Sequence, residues 1–207
     1  TADQCAHYTI IQSISRVPDC KVWVALAGGT KSVCVVKQML SPALVEREVA
    51  AWHQVNGQQA VFATTVHNSA AIVMPFVVLV HVVEGRPQFN TNFKLWAVSD
   101  YATPGPVPRL VLAQLTAVSD MLAAGVVGTV MEVATAVIRN CAAAGIVHTD
   151  LQWRHFGVVP VFNNAGQITT LQPILIDFGS CETGVSTADA LERMTEMLAD
   201  LSHGVHL

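Results

Sequence analysis

Two carboxylates near the C-terminal end of this 207-residue chain are set up for chemistry by the residues around them. Asp150 closes the string Gly145-Ile146-Val147-His148-Thr149-Asp150. Asp177, 27 positions on, closes Ile174-Leu175-Ile176-Asp177 and is followed by Phe178-Gly179. Each acid follows an apolar run that reads as buried strand, and such a strand has few structural reasons to end in an acid beside glycine. A carboxylate fixed at a strand end can take a proton from a substrate hydroxyl or hold a divalent cation. His148 and His155 raise a zinc or manganese hydrolase site with the same two acids. A two-residue His-to-Asp spacing without a second histidine pair lacks the ligand arrangement of such centres.

The elements that must position these acids follow from local pattern. Residues 8–14, 21–26 and 32–36 are rich in β-branched residues and read as strands, with Gly28-Gly29-Thr30 as the turn between the last two. Ser41-Pro42 supplies an N-cap and a proline at the first helical position, opening a helix to about Val55. On it Val45, Val49, Trp52 and Val55 define an apolar face, Glu48 lies at its edge and Glu46 points away. A carboxylate turned toward a core needs a cation, because burial without one costs several kcal/mol. Residues 61–66 and 71–83 read as further strands, and 84–108 as linker and loop holding one short helix or strand. Helices follow at 110–124 and 127–144, broken at Gly125 and ended at Gly145. A hairpin over 156–162 and 168–176 turns at Asn163-Asn164-Ala165-Gly166, and a capped amphipathic helix covers 189–201.

Composition narrows the classes. Hydrophobic residues make up 52% and charged residues 13%, so the chain must bury a substantial core. A net charge of -4 with its 11 basic residues scattered argues against nucleic acid. The most apolar stretches, 72–83 and 110–131, are interrupted by Pro75 and His81 and by Asp120, which argues against a membrane span. Five cysteines (Cys5, Cys20, Cys34, Cys141, Cys181) without a Cys-x-x-Cys pair disfavour a disulfide scaffold and a zinc ribbon, and fit a reducing intracellular compartment. Cys20 and Cys181 are the thiols nearest the chemistry, and inert buried cysteines are the simpler reading.

Taken in order, His148-Thr149-Asp150 and Asp177-Phe178-Gly179 resemble the catalytic loop and the metal-binding motif of the protein-kinase superfamily. The resemblance implies an α+β, two-lobed protein-kinase-like fold with a reduced C-terminal lobe. The first lobe, a sheet plus one helix, would span 1–74, and a mainly helical second lobe 75–207, with the hinge at Met74-Pro75-Phe76. It implies ATP and Mg²⁺ or Mn²⁺ in the cleft and transfer of the γ-phosphoryl group to a hydroxyl on a protein. Asp150 would be the base and Asp177 would hold the metal. Lys37, in Val35-Val36-Lys37, resembles the strand lysine that pairs the phosphates, with Glu48 as its partner. Val22 matches the strand over the adenine ring, Ser15 and Cys20 bracket the phosphate loop, and Met74 and Phe76 border the nucleotide.

Several positions depart from the pattern. The loop Ser15-Arg16-Val17-Pro18-Asp19-Cys20 has no glycine where the family has three. His155 stands where a second metal-binding asparagine is usual, which turns the metal site toward manganese or a single ion. Thr149 replaces an arginine that answers a phosphorylated activation loop, and Gln152 replaces a lysine. Only 28 residues follow Gly179, too few for the activation segment and protein-docking helices, so either the lobe is minimal or the chain has been cut. Trp153-Arg154 after the catalytic aspartate is similar to divergent fungal and oomycete kinase-like domains of Crinkler type, some of them secreted effectors. Two rival classes carry the same residues. One is a pseudokinase that binds without transferring, favoured by the missing glycines and His155. The other is a small-molecule kinase of the aminoglycoside or choline type, favoured by the brief C-terminus.

Overall fold

A computed structural model describes residues 8–17, 20–27, 33–57, 61–66, 68–90 and 109–204. The elements run β1 (Tyr8–Val17), β2 (Cys20–Ala27), β3 (Val33–Met39), α1 (Pro42–Asn56), β4 (Phe62–Val66), β5 (Ser69–Pro75), β6 (Val78–Val83) and β7 (Arg86–Phe89). After the next described residue come α2 (Arg109–Ala123), α3 (Val130–Ala143), β8 (Ile146–His148), β9 (Phe156–Phe162), β10 (Ile168–Leu175), β11 (Cys181–Thr183) and α4 (Thr187–Gly204). The class is mixed α+β.

The first five strands form an antiparallel sheet in the order β1-β2-β3-β5-β4, with α1 inserted between β3 and β4. Alternation along β3 decides what each face meets. Val35 packs into the main core with α1, whereas Cys34 and Val36 pack with Ala71 and Val73 on the opposite face. Lys37 sits directly opposite Val22 on β2 and Ile72 on β5. Cross-strand partners leave a sheet on one face, so Lys37 projects toward α1. The helix starts at Pro42, as the proline signal requires, and buries Val45, Glu48, Trp52, Val55 and Asn56.

Two features differ from the sequence reading. The apolar run 71–83 is two strands parted at Phe76-Val77, because β6 leaves the first sheet. It pairs with β9 through Val78↔Val158 and Leu79↔Gly157. The stretch read as linker holds the short strand expected there: Glu84 and Gly85, both at positive φ, turn β6 into β7 as a hairpin. The result is a four-stranded sheet, β10-β9-β6-β7, in a region read from sequence as mainly helical. Gly157 permits the junction, since a Cβ there would lie 2.6 Å from the Val78 carbonyl oxygen. The expected loop at 15–20 is also tighter. Ser15 and Val17 lie in β1 and pair with Val22 and Cys20 of β2, while Pro18 and Asp19 fall outside the described residues.

The main core joins both sheets to the helices: Val35, Trp52 and Met74 share it with Val133, Ile138, Ile146, Phe156, Phe178 and Met194. α3 is held at its start by a capping box between Thr129 and Glu132. It delivers the chain through Gly145, at φ 67, into β8. β8 pairs antiparallel with β11, so the segments after Ile146 and after Gly179 lie side by side. No helix among the described residues is long and apolar enough to cross a membrane.

Candidate functional site

Lys37 is the centre of the site. Its Nζ donates to Glu48 Oε1 at 2.9 Å, to Glu48 Oε2 at 3.0 Å and to Asp177 Oδ1 at 2.6 Å. Those partners are 11 and 140 positions away, so strand, helix and strand end converge on one ammonium. Glu48 is 1% exposed, and the sequence argument that it needs a cation is met by Lys37. Burial by itself depresses the Lys37 pKa, but Glu48 and Asp177 outweigh burial and raise it above the ordinary lysine value. Burial raises the Glu48 pKa, and Lys37 offsets only part of that. The two partners shift in opposite senses of benefit because Lys37 faces two carboxylates, whereas the more deeply buried Glu48 loses more by desolvation than Lys37 and the weaker pull of Arg47 restore. Burial also pushes Asp177 upward, yet Lys37 and the two nearby histidines prevail and hold its carboxyl below the usual range.

Asp177 sits at φ 67, a left-handed conformation that few residues other than glycine adopt. Strain of this kind persists only where the surroundings fix it. His148 supplies part of that fixing. Its Nε2 lies 2.9 Å from the Asp177 carbonyl oxygen and 3.2 Å from that of Ile176, so it carries the proton and donates to them. Phe178, fully buried, is wedged edge-on between Trp52 at 6.4 Å and His148 at 5.9 Å. The Gly179 carbonyl accepts from Arg47 Nη2 at 2.9 Å, and the Ser180 carbonyl accepts from both the backbone N–H and the hydroxyl of Thr149 at 2.9 Å.

Asp150, exposed, stands two residues beyond β8, with Oδ1 accepting from Gln152 Nε2 at 2.7 Å. His155 ends a 3-10 turn over Trp153–His155 and is 2% exposed. Its Nε2 lies 3.7 Å from Asp177 Oδ2 and its ring 5.1 Å from that of His148. Burial lowers the pKa of both histidines, and in His155 the proximity of His148 adds to the effect. The donor set beside Asp177 is therefore one carboxylate oxygen and one imidazole nitrogen, which suits manganese or zinc better than magnesium. Among the described residues no three of His, Cys, Asp or Glu converge as a metal centre. With His148 Nε2 turned to two backbone carbonyls, the four-residue hydrolase grouping does not form.

The remaining residues singled out from sequence are placed as follows. Val22, half-buried, borders the main core on the face of Lys37. Met74 and Phe76 are 6% and 9% exposed, their side chains packed in the core. The side chains of Ser15 and Cys20 lie outside the described residues. Cys34 and Cys141 are buried, and burial pushes their thiols up to about 11 and about 12, as inert core cysteines.

Sequence reasoning missed Asn56, Arg47 and Thr149 as ties between α1, β8 and the Asp177 loop. Asn56 precedes Gly57 at a helix end and reads as ordinary C-capping, so no signal in the sequence separates it. No protein-family model matches the chain, and no curated protein matches it either.

Proposed function

We propose that the chain is an ATP-dependent phosphotransferase of divergent, two-lobed protein-kinase-like fold, moving the γ-phosphoryl group to a hydroxyl, with a protein as acceptor. The observation that carries this reading is the contact of Lys37 with both Glu48 and Asp177. The resemblance paired Lys37 with Glu48 and gave Asp177 a role apart from them, and a surface lysine at a strand end has no reason to gather two distant acids, one of them fully buried.

In this reading Glu48 fixes the reach of Lys37, whose charge two carboxylates preserve, and the ammonium bears on the nucleotide phosphates. Val22, on the same face, covers the adenine ring, and the backbone at Ser15, Cys20, Met74 and Phe76 borders the nucleotide. Asp150, held by Gln152, takes the proton of the acceptor hydroxyl. Asp177, with His155 beside it, holds the divalent cation, and the nitrogen donor favours Mn²⁺ over Mg²⁺. When bound, ATP and its cation supply the phosphoryl group and the positive charge that offsets its oxygens.

A second reading, a pseudokinase that binds nucleotide without transferring, is favoured by one contact. The carboxylate that should hold the cation is engaged by Lys37 at 2.6 Å. ADP release and phosphate incorporation, measured over protein acceptors and small hydroxyl compounds with Mn²⁺ and with Mg²⁺, separate the two. Transfer that falls at least a hundredfold in Asp150→Asn is the expected result. Full transfer by that variant would remove Asp150 as base, and nucleotide binding without transfer would favour the second reading.

A further inference from the structure

One stripe of α1 carries Glu48, Trp52 and Asn56 at four-residue spacing, and each meets a different part of the segment that delivers Asp177. Glu48 reaches Asp177 through Lys37, Trp52 stands edge-on to Phe178, and Asn56 holds Leu175. The last contact is of an unusual kind. Asn56 Nδ2 donates to the Leu175 carbonyl at 2.9 Å, and the Leu175 N–H donates to Asn56 Oδ1 at 3.4 Å. Among the described residues β10 is an edge strand, paired only with β9, and Leu175 at its end is fully buried. In an antiparallel strand the N–H and C=O of one residue point to the same side. At a buried edge both would be left without partners, which a folded chain rarely tolerates. The Asn56 amide offers one acceptor and one donor as a neighbouring strand would, and Gln172 Nε2 donates back to the Asn56 carbonyl at 3.1 Å.

We propose that Asn56 is a positioning residue for phosphotransfer: by completing the open edge of β10 at Leu175, it sets where the chain leaves the strand and so where Asp177, two residues on, presents its carboxylate. The role rests on the reading of Asp177 as the acid that holds the cation. It requires an amide. A carboxylate in its place would face the Leu175 carbonyl oxygen without a proton to share, and alanine would leave both backbone groups bare.

The test compares wild type, Asn56→Asp and Asn56→Ala by amide hydrogen exchange and by affinity for ATP with and without Mn²⁺. In wild type the Leu175 amide is protected. Both variants speed exchange over 174–180 while leaving α3 unchanged. Both lose the Mn²⁺-dependent part of ATP affinity about tenfold or more, with metal-free affinity little altered. The near-isosteric aspartate is at least as harmful as alanine, which a pure packing role would not produce. A Leu175 amide that exchanges in wild type like an exposed one overturns the proposal without any variant. Unchanged exchange, or an unchanged manganese dependence, in variants that fold also overturns it. A wild-type chain that binds no Mn²⁺–ATP overturns the functional reading, while the exchange comparison still decides whether Asn56 holds the segment.

Discussion

Lys37→Met should destabilise the fold mainly by stranding a charge. Glu48 is 1% exposed, and both its oxygens accept from the Lys37 ammonium at 2.9 and 3.0 Å. Methionine fills the volume of the lysine stem, so the loss is electrostatic rather than a cavity. Removing one partner of a buried pair costs about 3–5 kcal/mol, of the same order as much of a domain's total stability. The deficit has a pH signature whose sign is fixed. Burial raises the Glu48 pKa from its ordinary value of 4.5, and without Lys37 the rise is larger. The folded chain then keeps a proton that the unfolded chain has already released, so stability is lost as pH rises from about 4.5. Urea unfolding of Lys37→Met should therefore show a smaller deficit at about pH 5 than at about pH 8. In Lys37→Met/Glu48→Leu, where neither charge remains, most of the deficit should disappear. A single-variant loss below about 1 kcal/mol, independent of pH and additive with that of Glu48→Leu, would refute the buried pair.

Three other outcomes follow from separate contacts. Gly157→Ala should lower stability by about 1–3 kcal/mol, since its methyl would press on the Val78 carbonyl and part β6 from β9; thermal unfolding reads it directly. Stability should fall with pH below about 6.5, because burial depresses the pKa of His148 and His155 and the unfolded chain takes up protons the folded one declines. The slope is at most about 1.4 kcal/mol per pH unit for each histidine, and His155→Leu should flatten it in a pH series of urea midpoints. His155→Asn, which exchanges the imidazole for an amide oxygen, should shift nucleotide binding from Mn²⁺ toward Mg²⁺ in paired titrations.

The residues that meet at the candidate site were more legible in the sequence than the sheets that carry them. Glu48 stood out because a helix face that includes Val45 and Trp52 buries whatever shares it, and an acid there calls for a cation. Asp150 and Asp177 stood out because strand-forming runs seldom end in acids. Ser41-Pro42 set the start of α1 to the residue, since proline's missing N–H is harmless only there. What local pattern could not supply was pairing. The run 71–83 is apolar throughout, and nothing in its period shows that Met74 belongs to one sheet and Val78 to another. The β6–β9 junction depends on a glycine whose need is visible only when another backbone approaches it. Asn56 was hidden for a related reason: its partner is the backbone of Leu175, 119 positions away, and a backbone partner leaves no trace in residue type.

The central claim is that Lys37, Glu48 and Asp177 form a nucleotide–metal site, and thermal unfolding with ATP and Mn²⁺ tests it most directly, in wild type and in Asp177→Ala. At a hundredfold excess over its dissociation constant a ligand of the folded state adds about 2.7 kcal/mol, which for a chain of this size raises Tm by about 5–10 °C. The account predicts that rise for wild type with ATP and metal together, and its loss in Asp177→Ala. No rise in wild type, or the same rise in the variant, would contradict it.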